Sequence, residues 1–446
     1  MHSEATATLI HPLALSIMLI ASIFVCTLRR DLVLLPIIAL VCFIPVAQRV
    51  VILGLDFTML RLLIMVALAR VALKGELAEI NWSKLDSLVL AWTISITLFF
   101  VLKHGPAAII NRLGSALDVW GMFMIARTTI RSQAELLPLA KMTAFLSLPV
   151  LVGFGYERAT QHNPFSIFGG VPEFTNLREG RLRCQGAFPH PIHAGVFWAG
   201  LLPLCFGLWK ISTGTWKVLG LIGAACCLSI IFLSASSTPV IGIAAALLGL
   251  ILFFFRHQVK PILISFAVLL LVLHIVMDAP VWHLIGRIDV AGGSTGYHRY
   301  RLIDAAVNNF GQWWLIGLET TAHWGRQLHD VTNHYILQGV RGGIWTLVLF
   351  VMVIVEAMSI VVKLSTKNTV TPETQIIAWT VGTCLLVHLI CFLAVSYFHQ
   401  INALWWMAIG LAASMQHSDW QQSSDAETPQ TSPIEPYNVL SPNYLK

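Results

Sequence analysis

The segment from Arg183 to Pro191 combines residue types that suit the binding of an anionic head group at a membrane surface. It reads Arg-Cys-Gln-Gly-Ala-Phe-Pro-His-Pro and lies between a polar loop and a long apolar run. A guanidinium forms charge-assisted hydrogen bonds with phosphate oxygens, and a helix that starts at a proline offers backbone N–H groups to an anion. We therefore interpret Arg183 as an anion-binding residue, with Arg181 and His190 as further candidate ligands.

A second arginine, Arg299, lies on the apolar side of a predicted amphipathic helix over residues 297–310. The helical spacing gives one apolar stripe, made of Leu302, Ile303, Ala306, Val307 and Phe310. Arg299 points into this stripe, whereas Arg301, Asp304 and Asn308 fall on the opposite face. A guanidinium on a core-facing stripe is costly without an anionic partner. Two partners stay open at this point, a transmembrane acid and a bound phosphate, and Arg301 is a further candidate for substrate binding.

A third candidate group begins the helix that follows. His334, Gln338, Arg341 and Trp345 share one face at helical spacing, and Gly339, Gly342 and Gly343 permit close packing beside it. A polar face at the mouth of a membrane helix is expected to face a cavity. A neutral histidine there could accept a proton near neutral pH, although a lone histidine is more often structural.

The sequence predicts neither a metal nor a cofactor. His190 and His193 have no carboxylate close to them in the sequence. Seven of the eight cysteines lie inside apolar runs and only Cys184 lies in a loop, so these residues have neither metal-site nor disulfide spacing.

The composition indicates which kind of protein holds these residues. The chain has 57% hydrophobic and 11% charged residues, whereas soluble domains carry about 25% charged residues. It is therefore predicted to be an all-α polytopic membrane protein that binds membrane lipids. Its formal net charge of +6 implies no nucleic-acid partner.

About 13 apolar runs approach the length that crosses a hydrocarbon core of roughly 30 Å. They lie near 7–28, 31–48, 57–73, 86–102, 109–126, 135–156, 188–209, 217–234, 238–255, 260–277, 335–362, 375–397 and 399–415. The expected architecture is a transmembrane domain over residues 1–417 with about 12–13 helices, a first outer loop at 157–187 and a large helical outer loop at 278–333. Residues 418–446 are rich in Ser, Pro and acidic residues, which predicts a disordered tail.

The basic residues predict the orientation. Alternate short loops carry pairs or triplets of Lys and Arg, whereas the loops of the opposite phase carry fewer, chiefly Arg49, Lys103 and Arg112. The positive-inside rule then places the N-terminus and both long loops outside and the tail in the cytoplasm.

The pattern Arg183-x-x-Gly186-x-Phe188-x-His190-Pro191 resembles the outer-loop motif of the O-antigen ligase and polysaccharide polymerase superfamily of bacterial membrane glycosyltransferases. The order of later features is also similar: a Ser-rich turn, a large loop with the Arg299 helix, the segment Asn333 to Leu337, and Gly342-Gly343. Two features depart from the family pattern. Asn333 precedes His334, and the turn Ser236-Ser237-Thr238-Pro239 lacks an arginine, which hints at an exopolysaccharide-type member.

The resemblance implies a metal-independent transferase with a GT-C-like fold in the bacterial inner membrane, with its active loops in the periplasm. Its donor would be a glycan on undecaprenyl pyrophosphate, with a flippase and a chain-length regulator as candidate partner proteins. Arg183 and Arg299 would hold the diphosphate as catalytic residues, and His334 would orient or deprotonate the attacking hydroxyl. Arg181, His190, Arg301, Gln338 and Arg341 would bind substrate. Whether the acceptor makes it a polymerase or a ligase stays open.

A glycolipid flippase or polysaccharide exporter is the alternative function. It predicts charged residues at mid-depth and two roughly equivalent halves. The polar residues here gather instead at one side of the predicted bundle. A third alternative, a membrane scaffold without activity, would leave the Arg299 stripe and the His334 face without a binding partner.

Overall fold

A computed structural model of the chain describes residues 8–52, 55–287 and 295–421, and about 74% of it is helical. The described strands form two small antiparallel hairpins, β1 (Arg49–Ile52) with β2 (Leu55–Thr58) and β3 (Asn176–Arg178) with β4 (Arg181–Arg183). The prediction of an all-α polytopic protein is confirmed at this level.

Each of the thirteen predicted apolar runs contains one helix. Those before the first long loop are α1 (Pro12–Thr27), α2 (Leu34–Phe43), α3 (Met59–Leu73), α4 (Lys84–His104), α5 (Ala108–Thr129) and α6 (Gln133–Thr160). Those between the long loops are α7 (Pro191–Ile211), α8 (Gly214–Leu233), α9 (Ser237–Leu252) and α10 (Val259–Val276). The large loop contributes α11 (His283–Arg287), α12 (Thr295–Asn308) and α13 (Phe310–Trp313). The last three are α14 (His334–Ser365), α15 (Pro372–Cys391) and α16 (His399–Ser414).

Fewer helices than predicted meet the length and hydropathy of a membrane span. Within the described ranges there are seven, and one of them is the 40-residue unit Ser237–Val276, in which α9 and α10 are joined by a tight 3-10 turn. Helix α2 has ten residues and therefore extends about 15 Å, roughly half of a hydrocarbon core. Helix α16 has 16 residues, but it lies in the centre of the bundle, where 14 of them are buried.

The helices alternate between two ends of the bundle. We call the end where α6 ends and α7 begins the loop end, and the opposite end the tail end. Two buried ion pairs lie at the tail end. Arg127 Nε is 3.1 Å from Asp86 Oδ1, and Arg70 Nη1 is 2.5 Å from Glu76 Oε2. The alternation agrees with the order of spans predicted from the basic residues.

Helices α7, α15 and α16 form the interior of the bundle, whereas α10 has no buried residue. Small residues permit the close approach of α7 to its neighbours: a Cβ on Gly200 would lie 2.6 Å from the His388 ring, and one on Gly195 would lie 2.5 Å from Pro239. Packing of this kind fixes the start of α9 against the start of α7, and both starts lie at the loop end.

The amphipathic helix predicted at 297–310 is found as α12, with a narrower buried face than expected. Arg299, Leu302 and Ala306 are buried, as the periodicity predicts. Val307, in the last turn of α12, is 47% exposed, and Phe310, which begins a new short helix after α12 ends at Asn308, is 44% exposed. The apolar stripe is therefore shorter at its C-terminal end than the sequence analysis proposed.

Helix α14 is broken at Gly342 and Gly343, where the backbone leaves the helical conformation. The segment after α13 enters the break: Leu318 N donates to Val340 O and Ile344 N donates to Trp314 O, both at 2.7 Å. Gly343 has a φ of +70°, and a Cβ there would lie 2.4 Å from Leu315 O. Trp345 is consequently 55% exposed, and the predicted common face with His334 is wrong because it assumed an unbroken helix.

The predicted tail is described only as far as residue 421. Residues 418–421 form a 3-10 turn in which Trp420 is buried. The remaining tail, from 422 onward, lies outside the described residues.

Candidate functional site

Two guanidinium groups reach the turn that leads from α8 into α9. Arg183 Nη2 donates to Ser236 Oγ at 2.7 Å, and Arg299 Nη2 donates to Thr238 Oγ1 at 3.0 Å. The two hydroxyls are two residues apart, so the two arginines from different loops lie at the same helix start. We call Arg183, Arg299, Ser236 and Thr238 the arginine pair site. Both arginines thus reach the same turn, and the prediction that they bind one ligand there stays a prediction.

Both arginines are largely buried, with 5% and 8% of their surface exposed. Among the described residues, Arg183 has no carboxylate within ion-pair distance, and its Nε is buried without a hydrogen-bond partner. Burial and the neighbouring charge of Arg178 lower the pKa of Arg183, while Glu179 acts in the opposite direction. The Arg183 side chain therefore retains donor capacity that the protein does not use.

The start of α9 adds to the positive potential of this site. Ser236 is the cap residue of α9 but makes no capping hydrogen bond, because its hydroxyl donates to Ser234 O at 3.0 Å and accepts from Arg183. The first N–H groups of a helix carry the positive end of the helix dipole. Two arginines beside an uncapped helix start form an arrangement that suits an anion with two phosphate groups.

Glu157, at the end of α6, holds the backbone that carries Arg183. Its carboxylate accepts the N–H of Gln185 at 3.1 Å and of Gly186 at 3.0 Å, and it also accepts from the Thr175 hydroxyl at 3.4 Å. Gly186 has a φ of +58°, and a Cβ there would lie 2.6 Å from the Phe154 ring. The motif glycine is therefore required by both conformation and packing. Sequence reasoning missed Glu157, since an acid at a helix end looks like an ordinary solvent-exposed residue.

His190 caps α7, close enough to Arg183 for the arginine's charge to act on its ring. Its Nδ1 accepts the N–H of Ile192 at 3.1 Å. Burial, then the charges of Arg183 and His193, lower the pKa of His190 to about 4. The ring is therefore neutral at physiological pH and carries its proton on Nε2, where it can donate to a ligand.

His334 lies in an aromatic cluster of its own, with Phe350, Phe392 and Tyr397. Its ring stacks on Phe392 at 4.5 Å, and its Nδ1 accepts the N–H of Tyr397 at 3.1 Å. The neutral ring must then carry its proton on Nε2, which lies 3.1 Å from the Gln338 amide. The Oε1 of Gln338 has no hydrogen-bond partner, so the amide orientation that presents this oxygen to Nε2–H satisfies both groups. With both ring nitrogens engaged, the ring is held in place by its neighbours.

The apolar contact of Leu302 with Leu337 and Leu328 connects α12, which carries Arg299, with the His334 end of α14. The sequence placed His334 and Arg299 in one site, and this packing links them indirectly.

The other predicted site residues lie apart from the arginine pair site or at its edge. Arg181 is exposed on the β3–β4 hairpin, and Arg301 is half-buried with its Nη2 beside Gly325. Arg341 lies over the Phe398 ring at 5.3 Å. Gln338 belongs to the His334 cluster. Two small cavities, one lined by His388 and one by Gln400, are lined by neither Arg183 nor Arg299.

Three acids of the two long loops either have other partners or lie outside the described residues. Asp304 accepts from Trp282 Nε1 and from Asn308, and Glu179 pairs with Arg178 at 3.4 Å. Asp289 is not among the described residues. In the described ranges, no three His, Cys, Asp or Glu side chains cluster as metal ligands would. All eight cysteines are free thiols.

No protein-family model matches this chain, and comparison with curated protein sequences also finds no match.

Proposed function

We propose that the chain is a membrane glycosyltransferase with a GT-C-like arrangement of about 12–13 helices, which uses a glycan on undecaprenyl pyrophosphate as its donor. The observation that carries the proposal is the arginine pair site. Two guanidiniums from separate loops reach hydroxyls two residues apart at one helix start. A diphosphate presents two adjacent anionic groups, one for each guanidinium.

The proposed orientation follows from the distribution of basic residues. The short loops of the tail end carry Arg29, Arg30, Arg70, Lys74, Lys84, Arg127, Arg131, Lys210, Lys217, Arg256, Lys260, Lys363 and Lys367. The positive-inside rule makes this end cytoplasmic and the loop end periplasmic, in a bacterial inner membrane. The arginine pair site would then face the leaflet in which an exported lipid-linked glycan is presented.

In the proposed reaction, an acceptor hydroxyl attacks the anomeric carbon of the donor sugar. The new C–O bond forms as the bond to the diphosphate breaks, undecaprenyl diphosphate departs with the electron pair, and the hydroxyl proton passes to water. Arg183, Arg299 and the first N–H groups of α9 stabilise the charge that grows on the leaving diphosphate. This stabilisation comes entirely from protein groups.

The histidines take supporting roles in this proposal. His190 would donate its Nε2–H to a phosphate or sugar oxygen. His334 would act as a positioning residue, because its Nδ1 is occupied by the Tyr397 N–H and cannot take a proton from the acceptor. Arg181 and Arg301 would contact the glycan at the rim.

Transfer of radiolabelled glycan from undecaprenyl pyrophosphate by the purified full chain tests the proposal. We expect transfer by the wild type in the presence of a chelator and loss of transfer in Arg183→Gln and Arg299→Gln. Movement of the lipid-linked glycan across a vesicle membrane without any transfer would instead identify a flippase. Gel analysis of surface glycans after deletion of the gene distinguishes a polymerase from a ligase. Single-unit products indicate a polymerase, and accumulated lipid-linked polymer indicates a ligase.

A further inference from the structure

A second group of basic side chains lies at the loop end, formed by Lys103, Arg112 and Arg341. We call it the Lys103 cluster. Lys103 lies in the last turn of α4, Arg112 lies in the second turn of α5, and Arg341 lies at the break of α14. The charges of Arg112 and Arg341 are both close enough to act on Lys103. Three basic side chains therefore lie near one another at this end of the bundle, and Lys103 Nζ is hydrogen-bonded to the backbone oxygen of Arg341.

Lys103 holds the broken helix. Its Nζ donates to the carbonyl oxygens of Leu318, Val340 and Arg341 at 3.2, 3.1 and 2.9 Å. Carbonyl groups at a helix C-terminus lack intrahelical partners, and a lysine satisfies both them and the helix dipole. The three carbonyl oxygens thus fix the position of the ammonium group. The hydrogen bond to the Arg341 oxygen also places Arg341 at this site.

Among the described residues, the two arginines of the cluster lack the acidic partners that other inward-facing arginines have. Arg61, Arg70 and Arg127 each bind a carboxylate at 2.5–3.1 Å. Over the parts of the chain that the structure describes, Arg112 and Arg341 have no such partner and lie over aromatic rings instead, at 4.4 Å from Phe100 and 5.3 Å from Phe398.

Not all hydrogen-bond donors of this cluster bind acceptors among the described residues. Arg112 Nε is buried without a hydrogen-bond partner. The nearby acid that acts on Lys103 is Glu319, which is exposed. Desolvated guanidiniums without a counter-charge are costly, so the site favours an anion.

Exposed apolar side chains lie close in the sequence to Arg112 and to Leu318, whose carbonyl oxygen accepts from Lys103. They include Ile109, Ile110, Leu113, Leu315 and Ile316. In a membrane bundle such side chains contact acyl chains, and the connection from Lys103 to Arg112 contains no acid. An anionic group at the edge of an apolar surface is the chemistry of a lipid head group.

We infer that the Lys103 cluster binds the phosphate of a membrane lipid, which lies between Arg112 and Arg341 while its hydrocarbon chains lie along the start of α5. This site is separate from the arginine pair site. The rings of Phe398, His193 and His190 connect the two, at centroid distances of 6.2 and 6.1 Å. The inference goes beyond the proposed function and does not depend on it. The phosphate could belong to a bulk phospholipid or to a second polyprenyl diphosphate.

Native mass spectrometry of the full chain in mild detergent, titrated with phosphatidylglycerol or with undecaprenyl diphosphate, tests this inference. Arg112→Gln and Arg341→Gln each remove one charge and leave Lys103 on the helix break. We expect roughly tenfold weaker binding of at least one of these lipids for each variant, as for the loss of one charge-assisted contact. The matched control is Arg158→Gln at an exposed position of the same end, which should bind both lipids like the wild type.

The diphosphate titration is made with Arg183→Gln and Arg299→Gln present in every protein, so that the arginine pair site does not contribute. Weaker binding of phosphatidylglycerol alone supports a structural phospholipid. Weaker binding of undecaprenyl diphosphate supports a second substrate at this site. Unchanged binding of both lipids in Arg112→Gln and Arg341→Gln, with both variants eluting as the folded wild type, overturns the inference. Failure of the transfer assay with intact lipid binding would overturn the proposed function alone.

Discussion

The hydroxyls of Ser236 and Thr238 connect two arginines that lie 116 positions apart in the sequence. Each hydroxyl accepts one guanidinium N–H, so each fixes one arginine relative to the start of α9. The geometry of the pair depends on small residues of the turn as much as on the arginines themselves.

Removal of either hydroxyl should therefore impair the proposed transfer. We expect kcat/KM to fall by about 10- to 100-fold in Ser236→Ala and Thr238→Val, since a hydrogen bond to a charged group contributes about 1.5–3 kcal/mol. Ser237→Ala is the matched control, because its hydroxyl makes no hydrogen bond to either arginine. Equal rates for all three variants would show that the turn does not position the arginines.

His190 should make the protein less stable in acid. Its pKa is about 4 in the folded chain and 6.5 when unperturbed. The unfolded chain therefore binds more protons between these values, so the stability from this group is complete above pH 6.5 and is lost as pH falls towards 4. The difference corresponds to about 3 kcal/mol as an upper figure.

The check on His190 is thermal unfolding of the wild type and of His190→Asn from pH 7 to 4. Asparagine keeps the helix cap without titrating in this range. We expect a smaller loss of stability in the variant, and the other histidines, which both proteins share, cancel in the comparison. Parallel curves would contradict the assigned pKa shift.

At the scale of elements, the connection between α6 and α7 depends on Gly186. Its left-handed conformation costs other residues roughly 1–2 kcal/mol, and an added Cβ would also contact Phe154. Gly180 has a φ of +74°, but nothing lies within 4 Å of its Cβ position. Substitution of each glycine by alanine therefore distinguishes the effect of conformational strain, present at both, from the effect of packing, present only at Gly186.

We expect Gly186→Ala to lower the transfer rate at least tenfold, because strain and the Phe154 contact together displace the backbone that Glu157 holds. Gly180→Ala, in the turn of the β3–β4 hairpin, carries the strain alone and should keep nearly the wild-type rate. Measured initial rates for equal amounts of folded protein decide this. Equal losses in both variants would mean that Gly186 has no specific packing role.

At the scale of the whole molecule, the two ends of the bundle should face opposite sides of the membrane. Leu177→Cys at the loop end and Leu73→Cys at the tail end introduce thiols at positions that are 64% and 88% exposed. In a Cys26→Ser background, a membrane-impermeant maleimide applied to intact spheroplasts should label the first and not the second. Labelling of Leu73→Cys alone would reverse the proposed orientation.

The sequence predicts the helices well, because continuous apolar runs leave few alternatives in a membrane. Periodicity also predicted the buried positions of Arg299 and Leu302. It could not predict the break in α14, since two glycines in an apolar helix are equally compatible with close packing. Nor could it pair Lys103 with carbonyl groups more than 200 residues away. Contacts of that kind depend on tertiary packing, which the spacing of residues along one helix does not encode.

The central claim is that Arg183 and Arg299 together bind one diphosphate. A double-mutant cycle of Arg183→Gln and Arg299→Gln tests it most directly, with binding of undecaprenyl diphosphate and undecaprenyl monophosphate measured for all four proteins by native mass spectrometry. We predict that the two substitutions are coupled by at least 1 kcal/mol for the diphosphate, as for residues that share a ligand, and that coupling for the monophosphate is smaller. Additive effects, or unchanged diphosphate binding in the double variant, would contradict the account.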